Sequence, residues 1–446
     1  MTGMGAAPDR SMLREAFSTL DVHDYGDVLQ CMRCGFCLPT CPTYRTDGVE
    51  TQSPRGRVAM IKAVVDGRMD PTEEFAEHMY HCLDCRSCHT VCPAGVKAGE
   101  LVLEARHRIE EHRPQGVVKR FLLEYAVRDQ RRLSRLLAPA RLYQRTGIQA
   151  LVRKYDLLKP ISAGLSHLEA IMPDIPPRPL TETIPEEIPA CGKEKGKVGF
   201  FLGCAMNLLY PEASLATAGL LSRAGYTVVI PRAQQCCGAP NIEEGERRVY
   251  REMAGHNVDL FFGKRVDFVV TDCAACGNEL KSYGKLLGGR GRSFRYGDVF
   301  SEKVRDVSEF LAGALGPEVK FGPLEEDACF HDPCHLCHAQ GITAAPRDLM
   351  RRVPGLRLSE VPDAGQCCGS AGVYNVTHAD RSMKILAAKV EAIGKTGART
   401  VVSSNPGCLL QLEYAKRRFK ADWEVVHISQ ILRRSLARGE EKGGRE

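Results

Sequence analysis

Two stretches of sequence decide the fold of the N-terminal part: CMRCGFCLPTCP at residues 31–42 and CLDCRSCHTVCP at residues 82–93. Both follow the pattern Cys-x2-Cys-x2-Cys-x3-Cys-Pro, which is the spacing of 4Fe-4S cluster loops. Three thiolates of such a loop bind one cluster, and the fourth binds the other cluster of the pair. We therefore expect a first cluster on Cys31, Cys34, Cys37 and Cys92, and a second on Cys82, Cys85, Cys88 and Cys41.

The competing interpretation of these two stretches is a pair of zinc sites, because zinc also binds Cys-x2-Cys motifs. A zinc ion needs four ligands, so it leaves the Cys-x3-Cys-Pro ending of each run unexplained. The segment between the runs has a helical pattern. The sequence thus predicts a helical ferredoxin-like domain with two 4Fe-4S clusters over residues 1–116.

The composition restricts the class of protein. Of the 446 residues, 61 are basic and 55 acidic, and the net charge of +6 gives no indication of nucleic-acid binding. No run reaches the roughly 18 apolar residues of a membrane helix, and the first residues lack the pattern of a signal peptide. We therefore expect a cytoplasmic protein, in whose reducing surroundings the 20 cysteines bind metal rather than form disulfides.

Residues 117–196 are expected to form a basic helical arm followed by a linker. The arm, residues 117–159, is rich in Arg and Lys and has apolar residues at helical spacing. Such a surface suits an anionic membrane, or, the interpretation favoured here, a solvated bundle or a docking face for another subunit. The linker, MPDIPPRPLTETIPEEIPA at residues 172–190, contains prolines that prevent a regular helix or a central strand.

After the linker, short apolar strands alternate with amphipathic helices, which indicates parallel sheets with crossover helices. A CysCysGly motif at residues 236–238 recurs at residues 367–369. The sequence therefore predicts two α/β cysteine-rich modules with small parallel sheets, at residues 197–316 and 317–446. In the first module five cysteines follow predicted strands and are expected to meet at one sheet edge and bind metal. They are Cys204, Cys236, Cys237, Cys273 and Cys276.

The order of cysteines in the first module resembles the cysteine-rich domain of the heterodisulfide reductase B subunit. The resemblance implies that all five cysteines bind one non-cubane 4Fe-4S cluster. From the residues alone, a zinc site or redox-active thiols are the alternatives. The second module departs from the pattern, with Gln411 where a further cysteine is expected. Its motif cysteines are Cys334, Cys367, Cys368 and Cys408.

The second module therefore has several interpretations. Its four motif cysteines could hold an ordinary cubane cluster, Cys337 or His335 could supply a missing ligand, or the module could serve folding or docking alone. Cys191 and Cys329, together with Cys337, lie outside every motif and are expected to be free thiols.

Five segments, together with the two CysCysGly motifs, carry a resemblance that covers most of residues 28–430. They are CMRCGFCLPTCPTYR, SPRGR, CLDCRSCHTVCPAGV, CCGSAGVYN and SNPGCLLQL. In these segments the chain resembles the iron–sulfur subunit of bacterial glycolate oxidase (glycolate dehydrogenase). The resemblance implies that one or two FAD-containing partner subunits oxidise glycolate to glyoxylate, or D-lactate to pyruvate. This chain would relay their electrons to quinone or another acceptor, in the cytoplasm or on the cytoplasmic face of the inner membrane.

The expected function assigns substrate oxidation to the partner subunits. No Gly-x-Gly-x-x-Gly motif follows a predicted strand, so we expect no flavin in this chain and no residue that oxidises the substrate directly. A second hypothesis gives the CysCysGly module a catalytic role, with a disulfide or a quinone as its substrate. A third treats the cysteine-rich modules as a scaffold that docks the flavin subunits without redox chemistry.

Overall fold

The chain folds into a helical N-terminal domain, a helical arm and two α/β modules, in agreement with the fold class expected from the sequence. The computed structural model describes residues 22–112, 116–288, 292–317 and 319–443. Within these ranges, none of the helices combines the length and the apolar character that crossing a membrane requires.

Within the described residues, the N-terminal domain, called the ferredoxin-like domain below, contains six helices. They are α1 (Val22–Gln30), α2 (Pro42–Asp47), α3 (Pro54–Val65), α4 (Glu73–Tyr80), α5 (Ser87–Thr90) and α6 (Ala98–His112), with a 3-10 turn at Glu50–Gln52. α3 begins where the Ser53 hydroxyl accepts a hydrogen bond from the Gly56 amide, and α4 begins where Thr72 accepts one from Phe75. Apolar side chains of α3, α4 and α6 form the core of this domain.

The arm consists of short helices that contact both modules. They are α7 (Val117–Phe121), α8 (Gln130–Leu136), α9 (Ala138–Arg145), α10 (Ile148–Tyr155) and α11 (Ala163–Ile171), with a π-helical turn at Leu122–Ala126. The Gln130 amide donates a hydrogen bond of 3.0 Å to the Leu202 carbonyl in the first module. His167 Nε2 lies 2.8 Å from the Asn375 carbonyl oxygen in the second. The proline-rich segment that follows forms a 3-10 turn at Leu180–Glu182.

The first module contains a five-stranded sheet in the order β1-β3-β2-β4-β5, in which only β1 is antiparallel. Its strands are β1 (Glu187–Ile188), β2 (Gly196–Phe201), β3 (Tyr226–Val229), β4 (Phe268–Thr271) and β5 (Val304–Asp306). Its helices are α12 (Cys204–Leu209), α13 (Pro211–Arg223), α14 (Ala239–Glu243), α15 (Arg247–Gly263), α16 (Ala274–Leu287), α17 (Arg292–Lys303) and α18 (Val307–Ala314). The sheet thus begins before residue 197, because the proline-rich segment supplies an edge strand, a position where prolines are tolerated.

The second module repeats this topology with four parallel strands in the order β7-β6-β8-β9, which matches β3-β2-β4-β5. The strands are β6 (Glu326–Phe330), β7 (Leu356–Ser359), β8 (Thr400–Ser403) and β9 (Glu424–His427). The helices are α19 (Ala344–Arg351), α20 (Tyr374–Thr377), α21 (Ala379–Gly394), α22 (Pro406–Phe419) and α23 (Ile428–Gly443), with a π-helical turn at His335–Ala339. The predicted repeat is therefore present in the fold.

The two modules are joined by one hydrophobic core, which the sequence pattern does not reveal. Val228 and Phe261 of the first module belong to the same buried cluster as Val402 and Leu432 of the second. The C-terminal helix α23 packs against α13 of the first module, and between them the Thr217 hydroxyl donates to the Ser429 hydroxyl at 2.7 Å. The modules therefore support each other and form one structural unit.

Candidate metal centres

The structure brings the second ferredoxin-type set of cysteines together at one cavity inside the ferredoxin-like domain. The four residues are Cys41, Cys82, Cys85 and Cys88. Cys41 follows the first loop and reaches this cavity beside α2, where its Sγ lies 3.2 Å from the Thr43 hydroxyl. Burial and the neighbouring Cys82 thiol raise the pKa of Cys88. A bound metal cluster would relieve this cost, because coordination keeps thiolates deprotonated in a buried site.

The first ferredoxin-type set lies nearer the surface of the same domain. Cys31 and Cys92 pack against the domain core, and Cys34 is exposed on the loop. Burial raises the pKa of Cys37, and the Cys31 thiol adds to this shift. The Arg55 guanidinium donates a 2.8 Å hydrogen bond to the Arg33 carbonyl and so fixes the loop.

The five cysteines of the first module meet at the carboxyl ends of β2, β3 and β4. The Sγ atoms of Cys204 and Cys236 are 3.7 Å apart. Cys237 contacts Cys276, and Cys273 Sγ accepts a hydrogen bond of 3.3 Å from the Cys276 amide. Two thiolates on one tetrahedral ion, each about 2.3 Å from it, lie about 3.8 Å apart, so the spacing of this group fits thiolate ligation of iron or zinc.

The four motif cysteines of the second module are also gathered into one buried group. The Sγ atoms of Cys368 and Cys408 are 3.7 Å apart, and the Cys334 thiol contacts that of Cys367. The Gly369 amide donates to Cys367 Sγ at 3.4 Å. This set has the same tetrahedral ligand spacing as the first module and fits an iron–sulfur cluster on the same grounds.

The two residues proposed from the sequence as substitute ligands point elsewhere. His335 Nε2 lies 2.9 Å from the Asp84 carbonyl oxygen and 3.7 Å from the Asp84 carboxylate. Burial would lower the pKa of His335, but the Asp84 contact and the Cys334 thiol raise it to about 10. This buried ion pair joins the second module to the ferredoxin-like domain. The Cys337 thiol is directed to the Cys334 carbonyl, at 3.8 Å.

The position at which the second module lacks a cysteine is Asn405 and not Gln411. Cys273 is the N-cap of α16, and Asn405 is the N-cap of α22, so these two residues correspond. Counting from the caps, Cys276 corresponds to Cys408. The expectation at Gln411 was wrong. It took Cys408 as the first cysteine of a Cys-x2-Cys motif, with Gln411 at the second position, whereas Cys408 is the second cysteine and the missing one lies three residues, about one helical turn, before it.

Asn405 is a site residue that the sequence analysis missed, and it lies between the cysteine groups of the two modules. Its Oδ1 accepts a hydrogen bond of 3.6 Å from the Cys273 thiol. Its Nδ2 donates one of 3.5 Å to Cys408 Sγ. The amide therefore contacts one thiol of each module. The signal available in the sequence was that asparagine is a preferred helix N-cap residue, which could have marked Asn405 as the start of the helix.

His331 is the second site residue that the sequence analysis missed. A ring nitrogen of His331 and the Sγ atoms of Cys368 and Cys408 all lie within 4.8 Å of one another. The side chain is buried, and neither ring nitrogen has a hydrogen-bond partner among the described residues. Burial lowers the pKa of His331 well below its usual value, which keeps the imidazole neutral.

The four cysteine sets form a continuous series through the molecule. Within the ferredoxin-like domain, Cys37 of the first set lies close enough to influence Cys88 of the second. Cys85 of the second set packs with Cys367 of the second module in a small apolar cluster. Asn405 then connects the second module to the first. The order in space is therefore first set, second set, second module, first module.

Comparison with known families matches most of the chain. A 4Fe-4S dicluster domain covers residues 27–96, and a cysteine-rich domain covers residues 198–281 and 328–413. The arm matches the linker region of the glycolate oxidase iron–sulfur subunit at residues 114–172.

Two relatives extend over nearly the whole chain. The "Probable glycolate oxidase iron-sulfur subunit" of Bacillus subtilis is 37% identical over 92% of this chain and 94% of its own length. The chain belongs to the glycolate oxidase iron–sulfur subunit family. The "Glycolate oxidase iron-sulfur subunit" of Escherichia coli is 31% identical over 89% of this chain and 92% of its own length. Membership of the glycolate oxidase iron–sulfur subunit family confirms the resemblance seen in the sequence.

The fold of this glycolate oxidase iron–sulfur subunit family member also resembles a solved structure. A hypothetical protein from Helicobacter pylori aligns with a TM-score of 0.55 at 10% identity, over 96% of this chain and 76% of its own. That likeness concerns the fold alone. The dicluster and cysteine-rich domain matches indicate that the chain carries iron–sulfur clusters.

Proposed function

We propose that this chain is the electron-carrying iron–sulfur subunit of an oxidoreductase complex in which FAD-containing partner subunits oxidise glycolate to glyoxylate, or D-lactate to pyruvate. The chain passes the electrons on to quinone or another acceptor. The observation that carries the proposal is the continuous series of four cysteine sets, because electron transfer requires closely spaced redox sites. When bound, 4Fe-4S clusters accept and release single electrons, which connects a two-electron oxidation to one-electron carriers.

Each of the four sets is proposed to hold one cluster. The ligands of the first cluster are Cys31, Cys34, Cys37 and Cys92, and those of the second are Cys82, Cys85, Cys88 and Cys41. The ligands of the third cluster are Cys204, Cys236, Cys237, Cys273 and Cys276, and those of the fourth are Cys334, Cys367, Cys368 and Cys408. The short thiol separations in the modules support centres in which two thiolates share an iron. The proposed division of the chain has the same four units as in the sequence analysis, except that the first module starts at residue 187, where β1 of its sheet begins.

Apolar side chains surround the cysteines where the second set meets the second module. Leu83, Tyr374 and Ile385 pack around Cys85 and Cys367, so the immediate surroundings of these two cysteines are apolar, and the Asp84–His335 ion pair lies beside them. Apolar surroundings strengthen electrostatic interactions at a cluster and so help to set its potential.

Electrons are proposed to reach the chain at the Cys34 loop. Cys34 is exposed, and the flanking Met32 and Phe36 side chains are also largely exposed. Methionine and phenylalanine are enriched in subunit interfaces relative to other surfaces, which supports docking of a flavin subunit there. The arm, with its exposed apolar residues and the linker-region match at residues 114–172, is proposed as a second docking face for the partner subunits. If the protein were recovered with the membrane fraction and released from it by salt, the arm would instead be assigned to a lipid surface.

The test uses the assembled complex and measures two reactions separately. Cys31→Ser or Cys85→Ser should abolish glycolate oxidation coupled to an artificial dye, while reduction of the flavin by glycolate continues. Cys191→Ser is the matched control, because Cys191 is exposed and belongs to none of the four sets. Unchanged dye-coupled turnover in the Cys31 and Cys85 variants would refute the proposal.

The alternative, in which the cysteine-rich module is itself catalytic, predicts activity of this chain alone. Purified chain supplied with reduced viologen and a disulfide or a quinone should then consume its substrate. The electron-carrier proposal predicts consumption only when the flavin subunits and their acid substrate are also present.

A further inference from the structure

The two modules differ at the residue three positions before the first motif cysteine, at the carboxyl end of β2 in the first module and directly after β6 in the second. Phe201 stands three positions before Cys204, and His331 stands three positions before Cys334. The cysteine-rich domain matches begin at residues 198 and 328, so Phe201 and His331 occupy the same place. The module with five thiols has the phenylalanine. The module that has lost a thiol, at Asn405, has the histidine.

The surroundings of His331 are unusual for a histidine without a function. Its side chain is 1% exposed, and both ring nitrogens lack a hydrogen-bond partner within the described part of the chain. Buried polar groups are normally paired, and an unpaired one requires an explanation such as a bound ion. A ring nitrogen lies within 4.8 Å of two cysteine sulfurs, Cys368 and Cys408, which are themselves 3.7 Å apart. A neutral imidazole together with thiolates is a ligand combination that iron–sulfur centres and zinc both use.

We propose that His331 is a protein ligand of the iron–sulfur centre in the second module and replaces the thiolate that is missing at Asn405. The inference rests on the proposed function, which supplies the centre itself. The resulting set has four thiolates and one imidazole, where the first module has five thiolates. His335 does not compete for this role because its Nε2 contacts Asp84.

The exchange of a ligand has an electrostatic consequence. A neutral imidazole removes one negative charge from the centre relative to a thiolate, and histidine ligation raises the reduction potentials of iron–sulfur centres. The centre of the second module should therefore have a higher potential than that of the first. It would also retain an electron more readily than the centre of the first module.

The test measures nitrogen coupling in the intact chain, prepared anaerobically with iron and sulfide and labelled with 15N-histidine. Pulsed electron paramagnetic resonance of the partly reduced protein should show a strongly coupled histidine nitrogen in the wild type. His331→Phe, which installs the first module's residue, should lose that coupling. His335→Gln should retain it. His331→Cys should keep the iron content, lose the nitrogen coupling and lower the potential of that centre.

The outcomes separate this inference from the proposed function. Iron bound at the wild-type second module without a strongly coupled nitrogen, or coupling that persists in His331→Phe, would overturn the assignment of His331 alone. A second module that binds zinc or no iron would overturn both this assignment and the proposed fourth cluster. Unaltered signals from the ferredoxin-like domain in each variant report that the chain has folded, and His331→Cys keeps the test decisive if His331→Phe does not fold.

Discussion

The two cysteine-rich modules share a sheet topology and a CysCysGly motif, yet they surround their thiols differently. The first module has Cys273, Phe201 and Val258 where the second has Asn405, His331 and Lys389. Val258 and Lys389 correspond because each follows its CysCysGly motif at the same distance along the chain. One thiol and two apolar groups are thus replaced by an amide, an imidazole and an ammonium.

The difference shows how one fold can hold two redox centres of unequal potential. Every replacement in the second module makes the surroundings of its thiols less negative or adds a hydrogen-bond donor. Less negative surroundings favour the reduced form of a cluster, so they raise its potential. The thiols of the second module are also the ones that pack against the second ferredoxin-type set, through Cys367 and Cys85, and we infer that electrons pass this module to reach the first.

The largest expected effect comes from removing one thiol at matching positions. Cys368→Ser and Cys237→Ser should each reduce the iron content by one cluster and lower dye-coupled turnover by more than about 100-fold, the upper range for losses around a metal site. The two variants should differ in rapid-mixing experiments. In Cys368→Ser the first module should no longer be reduced by substrate, whereas in Cys237→Ser the second module should still be reduced. Equal behaviour of the two would contradict the spatial order of the centres.

The sequence predicted those features that depend on local spacing. The ligands of each ferredoxin-type loop lie within a few residues, so their pattern alone specifies the chemistry. The alternation of strands and helices likewise predicted the sheets, and the repeat predicted their shared topology. The position of the missing thiol was not predicted correctly, because a helix N-cap at Asn405, which the spacing of Cys408 and Gln411 does not reveal, sets the register.

Long-range contacts were beyond prediction from one sequence. The contact of Cys85 with Cys367 and the proximity of His331 to Cys368 join residues that are distant along the chain. No local pattern marks such pairs, since burial and packing of separate elements create them. The common core of the modules is hidden for the same reason, because the C-terminal helix α23 packs against α13 of the first module as well as against its own sheet.

A second comparison concerns pH, at the residues that end the last strand of each sheet. His427 Nδ1 accepts a hydrogen bond from the Ser429 amide, and Asp306 accepts one from the Ser308 amide. Burial lowers the pKa of His427 to about 4 and raises that of Asp306 to about 6. The neutral His427 therefore contributes stability above its unfolded pKa of about 6.5 and loses it as the pH falls towards 4, on the order of 3 kcal/mol in total. Asp306 acts in the opposite direction, because its protonation on acidification restores stability.

Matched variants separate these two contributions to the free energy of unfolding. Between pH 7 and pH 5, His427→Gln should lose less stability than the wild type, since the titrating group is gone. Asp306→Asn should lose more, because the compensating protonation is removed. Anaerobic urea denaturation of the full chain at the two pH values provides the measurement, and parallel pH profiles for all three proteins would contradict the assignment.

A smaller effect is expected at Asn405. Asn405→Ala removes the donor to Cys408 Sγ and the acceptor of the Cys273 thiol, and should cost about 1–2 kcal/mol of stability. The potential of the second module should fall, because hydrogen bonds to cluster sulfurs favour the reduced form. Asn405→Asp is the isosteric control, which keeps Oδ1, loses the donor and adds negative charge, so its potential should fall further. Potentials that do not move in a redox titration would exclude a tuning role for the amide.

The smallest change in stability is expected for Lys389→Met, although its effect on potential should be measurable. The Lys389 ammonium is 2% exposed and donates to the Asp363 and Ala364 carbonyls at 3.0 and 3.1 Å. Burial lowers the pKa of Lys389, which shows that the buried charge carries a desolvation cost. Its removal relieves this cost and offsets the loss of the two hydrogen bonds, so the free energy of unfolding should change by about 1 kcal/mol. The positive charge acts on the thiols of the second module, and its loss should lower that module's potential without changing that of the first. Lys384→Met is the control, because Lys384 lies on the exposed side of the same helix, and it should change neither potential. If Lys389→Met shifted the potentials of both modules equally, Lys389 would act through the general charge of the protein and not on the centre of its own module.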